Sequence, residues 1–367
     1  MIGLAIFLLS CGVYGKDEKM FSDDDFNIPL WDCSTELRGG FGYRDNVLLS
    51  HTNAQGSAFW MSGAEVMIFR LPTRGWQFHF FADASDIRYF NSPSVDNEQV
   101  ALAAAQLAKD FGDGWKSALG VNYLFQNQVF DFSNTYTNQG SVGQVLGHTL
   151  APRWWLRKTV GAFWLEGEVG ATRQWLDEPL DNYWEFGPKG MAGWSWGHGS
   201  ELVISYQYRR LDYDTRERVD ALGQSIPRTA LALDSHAAGL SFTKVWDEKN
   251  HWQTVTALDY ESSLDNGSGF FDYDRYRLSQ QVRYRNDRWE ISARVKLSYF
   301  AYSVQTVSAT DTASRRKTMC NVAFRVERKL TKHLKAAASY NWDRSISNLD
   351  FDDYAANSFM GGLALTF

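Results

Sequence analysis

The sequence predicts an all-β fold, a transmembrane antiparallel up-and-down β-barrel of about 16 strands, and three observations carry that prediction. Apolar and polar residues alternate with period two from Thr35 to the last residue, which is the side-chain repeat of a strand and not of a helix. Short and long breaks rich in Gly, Asp or Asn alternate along that whole stretch, as hairpins with turns at one membrane face and loops at the other require. Trp and Tyr stand at the ends of the apolar faces, where aromatic rings settle at headgroup level.

Composition excludes the main competitors. The chain of 367 residues carries a net charge of −6, so it has no general electrostatic attraction for nucleic acid. With 44% apolar and 15% aromatic residues it can bury enough surface to fold. Beyond the N-terminus no apolar run approaches the roughly 18 residues of a membrane-spanning helix. A soluble sandwich or propeller would also use alternating strands, but no blade-like repeat is present.

From the N-terminus, Ile2 to Leu9 is an apolar run that turns polar at Lys16, Asp17 and Glu18. It reads as a secretory signal over residues 1–15, followed by a short periplasmic tail over 16–34 that holds Asp23, Asp24 and Asp25. Leu8-Leu9-Ser10-Cys11 resembles a bacterial lipobox, which would make Cys11 a lipidated residue; a plain cleaved signal containing a cysteine is the other reading. Cys33 and Cys320 sit in no zinc-like spacing, and no local pattern supports a disulfide between them.

The barrel is expected over 35–367. Trp115, Leu119, Val121, Tyr123 and Phe125 face away from Lys116, Asn122 and Gln126. Phe163, Leu165 and Val169 oppose Glu166 and Glu168, and Leu202, Ile204, Tyr206 and Tyr208 oppose Ser205, Gln207 and Arg209. The clearest strand has Trp289, Ile291, Ala293, Val295, Leu297 and Tyr299 on one face and Glu290, Ser292, Arg294, Lys296 and Ser298 on the other.

Seven short breaks fall at Pro72 to Gly75, Gly112 to Gly114, Lys158 to Gly161, Gly197 to Gly199, Asp247 to Asn250, Asn286 to Arg288 and Thr331 to His333. Eight longer ones fall between them, among them Ser50 to Gly56, Ser133 to Gly143, Asp214 to Pro227 and Asn348 to Asp353. The short breaks read as periplasmic turns and the long ones as extracellular loops, with both chain ends in the periplasm. None of the long breaks is long enough for a dedicated plug; Ser133 to Gly143 and Asp214 to Pro227 could fold in as a partial constriction, but both are expected as solvated surface loops.

Placing the polar faces inward gives a charge map. Arg275, Arg277, Arg283, Arg285, Arg294 and Lys296 would line one wall of the pore, and Glu166, Glu168 and Glu185 an opposing one. Such walls set a transverse field on polar solutes, although barrel interiors also pair Arg with Glu for packing alone. The same Arg residues cannot face lipid, where each costs about 2 to 4 kcal/mol at the midplane. Asp259 and Glu261 alternate inward and form a candidate cation site or ordinary rim charges.

Catalysis has no signature. The seven His are scattered, with His198, His251 and His333 at short turns and His79 on a lumen parity. No GxSxG or HExxH motif accompanies any of them. No enzyme, metal or cofactor is therefore expected.

The chain ends Phe359-Met360-Gly361-Gly362-Leu363-Ala364-Leu365-Thr366-Phe367. This resembles the terminal strand of Gram-negative outer-membrane β-barrel proteins. The resemblance implies a bacterial outer-membrane location, contact with outer-membrane lipid and lipopolysaccharide, and reading of Phe367 and Leu365 by the barrel-assembly machinery. Phe41-Gly42-Tyr43-Arg44-Asp45-Asn46-Val47 is similar to first-strand openings in barrel domains of polysaccharide-export and lipoprotein-display proteins, which would imply a conduit working with a periplasmic partner. The expected function is a porin-like channel, monomeric or homo-oligomeric, for passive diffusion of small hydrophilic solutes. An export or display conduit and a structural or adhesion barrel are the alternatives.

Overall fold

Alternation of this kind leaves one apolar and one polar face on every strand, and a sheet closed on itself satisfies both when lipid lies outside and water inside. The computed structural model describes residues 30–131, 142–178, 180–307 and 311–367, and it is such a closed barrel. The expected signal peptide, Cys11, most of the acidic tail and residues 132–141 lie outside the described residues.

The strands are β1 (Trp31–Arg44), β2 (Ser57–Thr73), β3 (Trp76–Tyr89), β4 (Asn97–Gly112), β5 (Trp115–Asp131), β6 (Val142–Val160), β7 (Phe163–Leu176), β8 (Tyr183–Trp196), β9 (Ser200–Tyr213), β10 (Ala232–Val245), β11 (Trp252–Asp265), β12 (Tyr273–Arg285), β13 (Trp289–Thr306), β14 (Ser314–Lys329), β15 (Leu334–Ser347) and β16 (Tyr354–Thr366). Each pairs antiparallel with its neighbours in sequence, and β1 closes on β16. Strands of 13 to 19 residues exceed the 9 to 11 needed to cross the hydrocarbon, so they project beyond the membrane.

All seven short breaks are turns at one end and all eight long ones connections at the other. Trp31 pairs with Arg70 beside the first short turn, and β16 also ends there, so both strand termini lie at the turn end. Arg74-Gly75 and Asp113-Gly114 place two successive residues at positive φ, the turn whose twist matches a two-residue hairpin. The closing pair needs glycine for a different reason. A Cβ on Gly40 would come within 2.6 Å of the Gly361 carbonyl oxygen, and one on Gly362 within 2.4 Å of that of Gly39.

The outer surface is the apolar one. Leu119, Val169, Ile204, Leu278, Val295 and Leu363 are exposed on it. At the turn end, Trp rings stand directly across the strand pair from a cation: Trp31 from Arg70, Trp76 from Lys109, Trp115 from Lys158 and Trp289 from Arg328. Each cation lies 5.0 to 5.7 Å from its ring centre, a contact worth about 0.5 to 1 kcal/mol at an exposed site. The loop end carries outward Tyr and Asp as well, with the Tyr208 hydroxyl donating to Asp234 and Tyr260 to Asp274. Trp–cation contacts recur there too, with Arg173 5.2 Å from the Trp184 ring centre and 5.7 Å from that of Trp175.

The closed sheet, the apolar exterior and the aromatic ends define a transmembrane β-barrel.

Candidate functional site

The inner face of β12 and β13 carries the basic residues anticipated from alternation. Arg275, Arg277, Arg283 and Arg285 on β12, and Arg294 and Lys296 on β13, all share the inward parity. Ser279 is opposite Lys296 and Gln281 opposite Arg294, so the two strands form one continuous basic surface. β14 extends it with Arg325, opposite Ser292, a residue the sequence reading did not single out because its strand partner cannot be named before the register is known.

This surface is not uniformly charged. Arg277 Nε lies 2.9 Å from Asp259. Arg275 and Arg209 both reach Glu261, at 2.5 and 2.9 Å, and the Tyr273 hydroxyl donates to the same carboxylate at 2.8 Å. Asp259 and Glu261 are therefore occupied by their neighbours on β9 and β12, which leaves the candidate cation site without free carboxylates. Nearer the turns, Arg325 pairs with Glu327 and Arg285 lies 3.8 Å from Glu290. Among the described residues Arg283 and Lys296 have no carboxylate in ion-pair contact.

Glu166, Glu168 and Glu185 also face inward, on β7 and β8, but they do not make an acidic wall. Arg157 Nε binds Glu166 at 2.7 Å, Lys189 stands opposite Glu168, and Arg209 lies 3.9 Å from Glu185. Each acid has a base beside it on the next strand, so the expected field between two walls of unlike charge is replaced by one net basic arc. On β2 to β4 Met67, Phe69, Phe81 and Leu102 take inward positions beside Glu65 and Asp83, the latter paired with Arg38, and His79 meets Phe69 edge-on with ring centres 4.6 Å apart.

The loop end of the lumen is packed. Val47, Leu49, Phe59, Tyr89, Val95 and Tyr354 form one buried cluster, from inward strand residues and the β1–β2 and β3–β4 loops. Leu211, Tyr213, Val219, Leu231, Leu233 and Phe271 form a second. Val219 and Leu231 belong to the β9–β10 connection, so this segment folds over the barrel mouth, contrary to its expected place as a solvated surface loop. The infolded loop is tied by a bridge between Val219 and Ser225, and Glu217 accepts from the Ser225 hydroxyl and the Arg228 amide. Those bonds hold the Glu217 carboxyl below its ordinary range, and the Arg173 guanidinium does the same to Asp214 at the loop's start.

Charges at this end are buried in pairs. Lys317 of β14 is 0% exposed and binds Asp131 of β5 at 2.5 Å, which joins nearly opposite positions in the strand order. Arg315 is 2% exposed and donates through Nε to Asp352 at 3.0 Å and through Nη1 to Gln305 at 2.9 Å. Glu98 accepts from the Tyr89 hydroxyl at 2.6 Å, from Arg44 at 3.1 Å and from the Val129 amide at 2.9 Å. Only partners placed this closely offset the cost of taking such ions out of water.

The remaining polar residues of interest are dispersed. His148 and His236 face outward and meet the Tyr123 and Tyr206 hydroxyls, each at 2.7 Å. Cys33 and Cys320 are both free and sit on outward parities. Among the described residues no three potential metal ligands come together. Phe367 and Leu365 are exposed on the outer surface at the turn end.

A family described as a protein of unknown function (DUF2860) matches residues 189–366. No curated protein matches the chain. Among solved structures, the chain is similar to OccAB4 of Acinetobacter baumannii, with 12% identity over 92% of this chain and 98% of that one and a TM-score of 0.49. It is also similar to a loop-deletion mutant of OmpT, an outer membrane protein of Vibrio cholerae, with 11% identity over 92% and 99% of the two chains and a TM-score of 0.48.

Proposed function

We propose that this protein is a porin-like channel that lets small hydrophilic solutes, anions in preference to cations, diffuse passively across the outer membrane. The observation that carries the reading is the net basic arc in the lumen of a 16-strand barrel, only partly compensated by carboxylates, where Arg283 and Lys296 stand without an ion-pair partner among the described residues. A barrel of this size leaves an aqueous space unless side chains or loops fill it. Fixed positive charge in such a space raises the local concentration of anions. No bond is made or broken in this reading, and no enzyme activity is assigned. Lipid and lipopolysaccharide would surround the belt, the assembly machinery would read Phe367 and Leu365, and homo-oligomers would leave the lumen unchanged.

The packed mouth favours a second reading, a conduit that is shut at rest and opened by a partner. A planar bilayer separates the two. The refolded, heat-modifiable barrel should give stepwise current under a salt gradient, with a reversal potential on the anion side. Arg283→Glu with Arg294→Glu should move it toward cations. Silence from the folded parent, together with current after Lys317→Met loosens the mouth, would overturn the freely open channel in favour of the shut conduit.

A further inference from the structure

The outer surface differs in charge between its two rims. At the turn end Arg70 of β2, Lys109 of β4, Lys158 of β6, Lys244 of β10 and Arg328 of β14 share the outward parity, and each lies 5.0 to 5.9 Å from the centre of a Trp ring. Among the described residues none of the five is in ion-pair contact with a carboxylate; the strand carboxylates that form ion pairs at this end do so with inward cations. Near the short turns no strand carries an outward Asp or Glu, since Asp32, Asp110, Glu166, Glu201, Glu290 and Glu327 all face the lumen. The loop-end rim mixes the two signs. Asp86, Asp212, Asp234 and Asp274 face outward there, and Arg88, Arg173 and Arg210 each pair with an Asp.

Strand register sets the five cations in one belt. It carries Arg70 to the row of Leu107, two residues short of Lys109, and Lys109 to the row of Leu156, two short of Lys158. From Lys158 the row reaches Leu240, four short of Lys244, and from Lys244 it reaches Phe324, four short of Arg328. Every strand crossed is thus matched by an advance of one residue toward the turns. At about 3.4 Å per residue and about 4.8 Å per strand the slope is about 35°, which is the strand tilt of such a barrel. The cations therefore run level with the membrane plane, and Arg70, Lys109 and Lys158 follow one another at about 12 Å.

The Trp rings position these cations without cancelling their charge. Lys109 and Lys158 also donate to the Arg74 and Asp113 carbonyl oxygens, and an ammonium group has three donors, so N–H groups remain for a ligand. A level row of cations at headgroup height attracts anionic lipid. A zwitterionic head would bring an ammonium that finds no carboxylate on this belt, whereas a net-anionic head brings only its phosphate. From this we infer that the turn-end belt is a docking surface for anionic phospholipid in the periplasmic leaflet, the side that short turns mark. The phosphate meets Arg or Lys, and the Trp ring beside it lies against the glycerol ester region. The surface is independent of the lumen and of whether the lumen conducts.

The test is the association of spin-labelled phosphatidylglycerol and phosphatidylcholine with the refolded full chain in phosphatidylcholine vesicles, read by electron spin resonance. The parent should prefer phosphatidylglycerol about threefold or more at low salt, and most of that preference should vanish at about 1 M salt, where charges are screened beyond about 3 Å. Replacing all five cations by Gln should bring the two lipids to parity. Lys109→Gln with Lys158→Gln should remove part of the preference, and Arg70→Lys with Arg328→Lys should keep it. At the loop-end rim, Arg88→Gln with Asp86→Asn should leave it as in the parent. Heat modifiability on gels establishes that each variant is a folded barrel. Equal association of the two lipids with the parent, an unchanged preference in either turn-end Gln variant, or loss of the preference in the loop-end variant would overturn the inference.

Discussion

The two ends of one lumen treat the same residue types in opposite ways. At the loop end Lys317, Arg315 and Glu261 are 0%, 2% and 1% exposed and each meets a counter-charge. At the turn end Arg285, Arg294 and Arg325 are exposed, and Arg283 has no acid beside it. Strand alternation places both sets inward, so facing inward and lining an open passage are separate properties. Infolding of the connections makes the difference: long segments fold over one mouth and bring Val47, Val95, Val219 and Leu231 inside, whereas two- to six-residue turns have nothing to fold in.

Removing a buried partner at the loop end should have the largest consequence. Lys317→Met leaves Asp131 short of its main counter-charge and should lower stability by about 3 to 5 kcal/mol, read as the shift of the urea unfolding midpoint. The double variant with Asp131→Asn should recover most of that loss. A single-variant cost below about 1 kcal/mol would mean that the mouth is wet and the contrast between the two ends is false.

Next in size is the contrast between outside and inside at one depth. Ala103 and Ala104 are adjacent on β4, the first paired with Ala82 and Tyr123 on the outer face and the second with Phe81 and Asn122 on the inner face. Ala103→Arg should cost about 2 to 4 kcal/mol as a charge in the lipid midplane. Ala104→Arg, with water to reach, should cost less than about 1 kcal/mol by the same unfolding assay. Reversal of the two would show that the parity of this Ala-rich strand is inverted.

Smaller still is truncation of an exposed pair at the turn end. Arg285→Ala removes a 3.8 Å contact with Glu290 between side chains open to water and should change stability by no more than about 1 kcal/mol. Its reversal potential should move slightly toward cations, and a stability loss comparable to that of Lys317→Met would erase the distinction between the ends.

The smallest effect concerns acid. Glu217 and Asp214 have carboxyls held low by hydrogen bonds within or beside the infolded loop. A lowered folded pKa stabilises the loop above the unfolded value of about 4 and loses that contribution as pH falls through the folded value. Amide exchange across residues 214–231, corrected for its intrinsic pH dependence, should be constant from pH 7 to about 5 and rise only below the ordinary carboxylate range. A rise near neutrality would place the control of the loop elsewhere.

How much of this is legible in the sequence varies along the chain. The turns at Arg74-Gly75 and Asp113-Gly114, the outward faces and the inward Arg residues of β12 and β13 all follow from local pattern. The first strand starts at Trp31, slightly earlier than the alternation suggests, because Trp31 pairs with Arg70, a residue distant in sequence. The infolding of 214–231 was legible only as the less favoured alternative, since its polar composition suits a solvated loop and its two anchors, Val219 and Leu231, gain their value only from the inward Leu211, Leu233 and Phe271. The inward places of Met67, Phe69 and Phe81 were hidden because both faces of β2 and β3 carry large apolar residues, which blurs the period.

Sequence by itself determined the number, order and sidedness of the strands, because a residue's face in a strand depends only on its parity and each turn is closed by its own residues. The tertiary structure alone decided which inward charges are neutralised and which stand open to solvent. Glu261 is held by Arg209 and Arg275, and Lys317 by Asp131. Those encounters depend on strand register, barrel closure and the path of the loops, and the charge left over at Arg283 and Lys296 is a property of the closed barrel and not of any one strand.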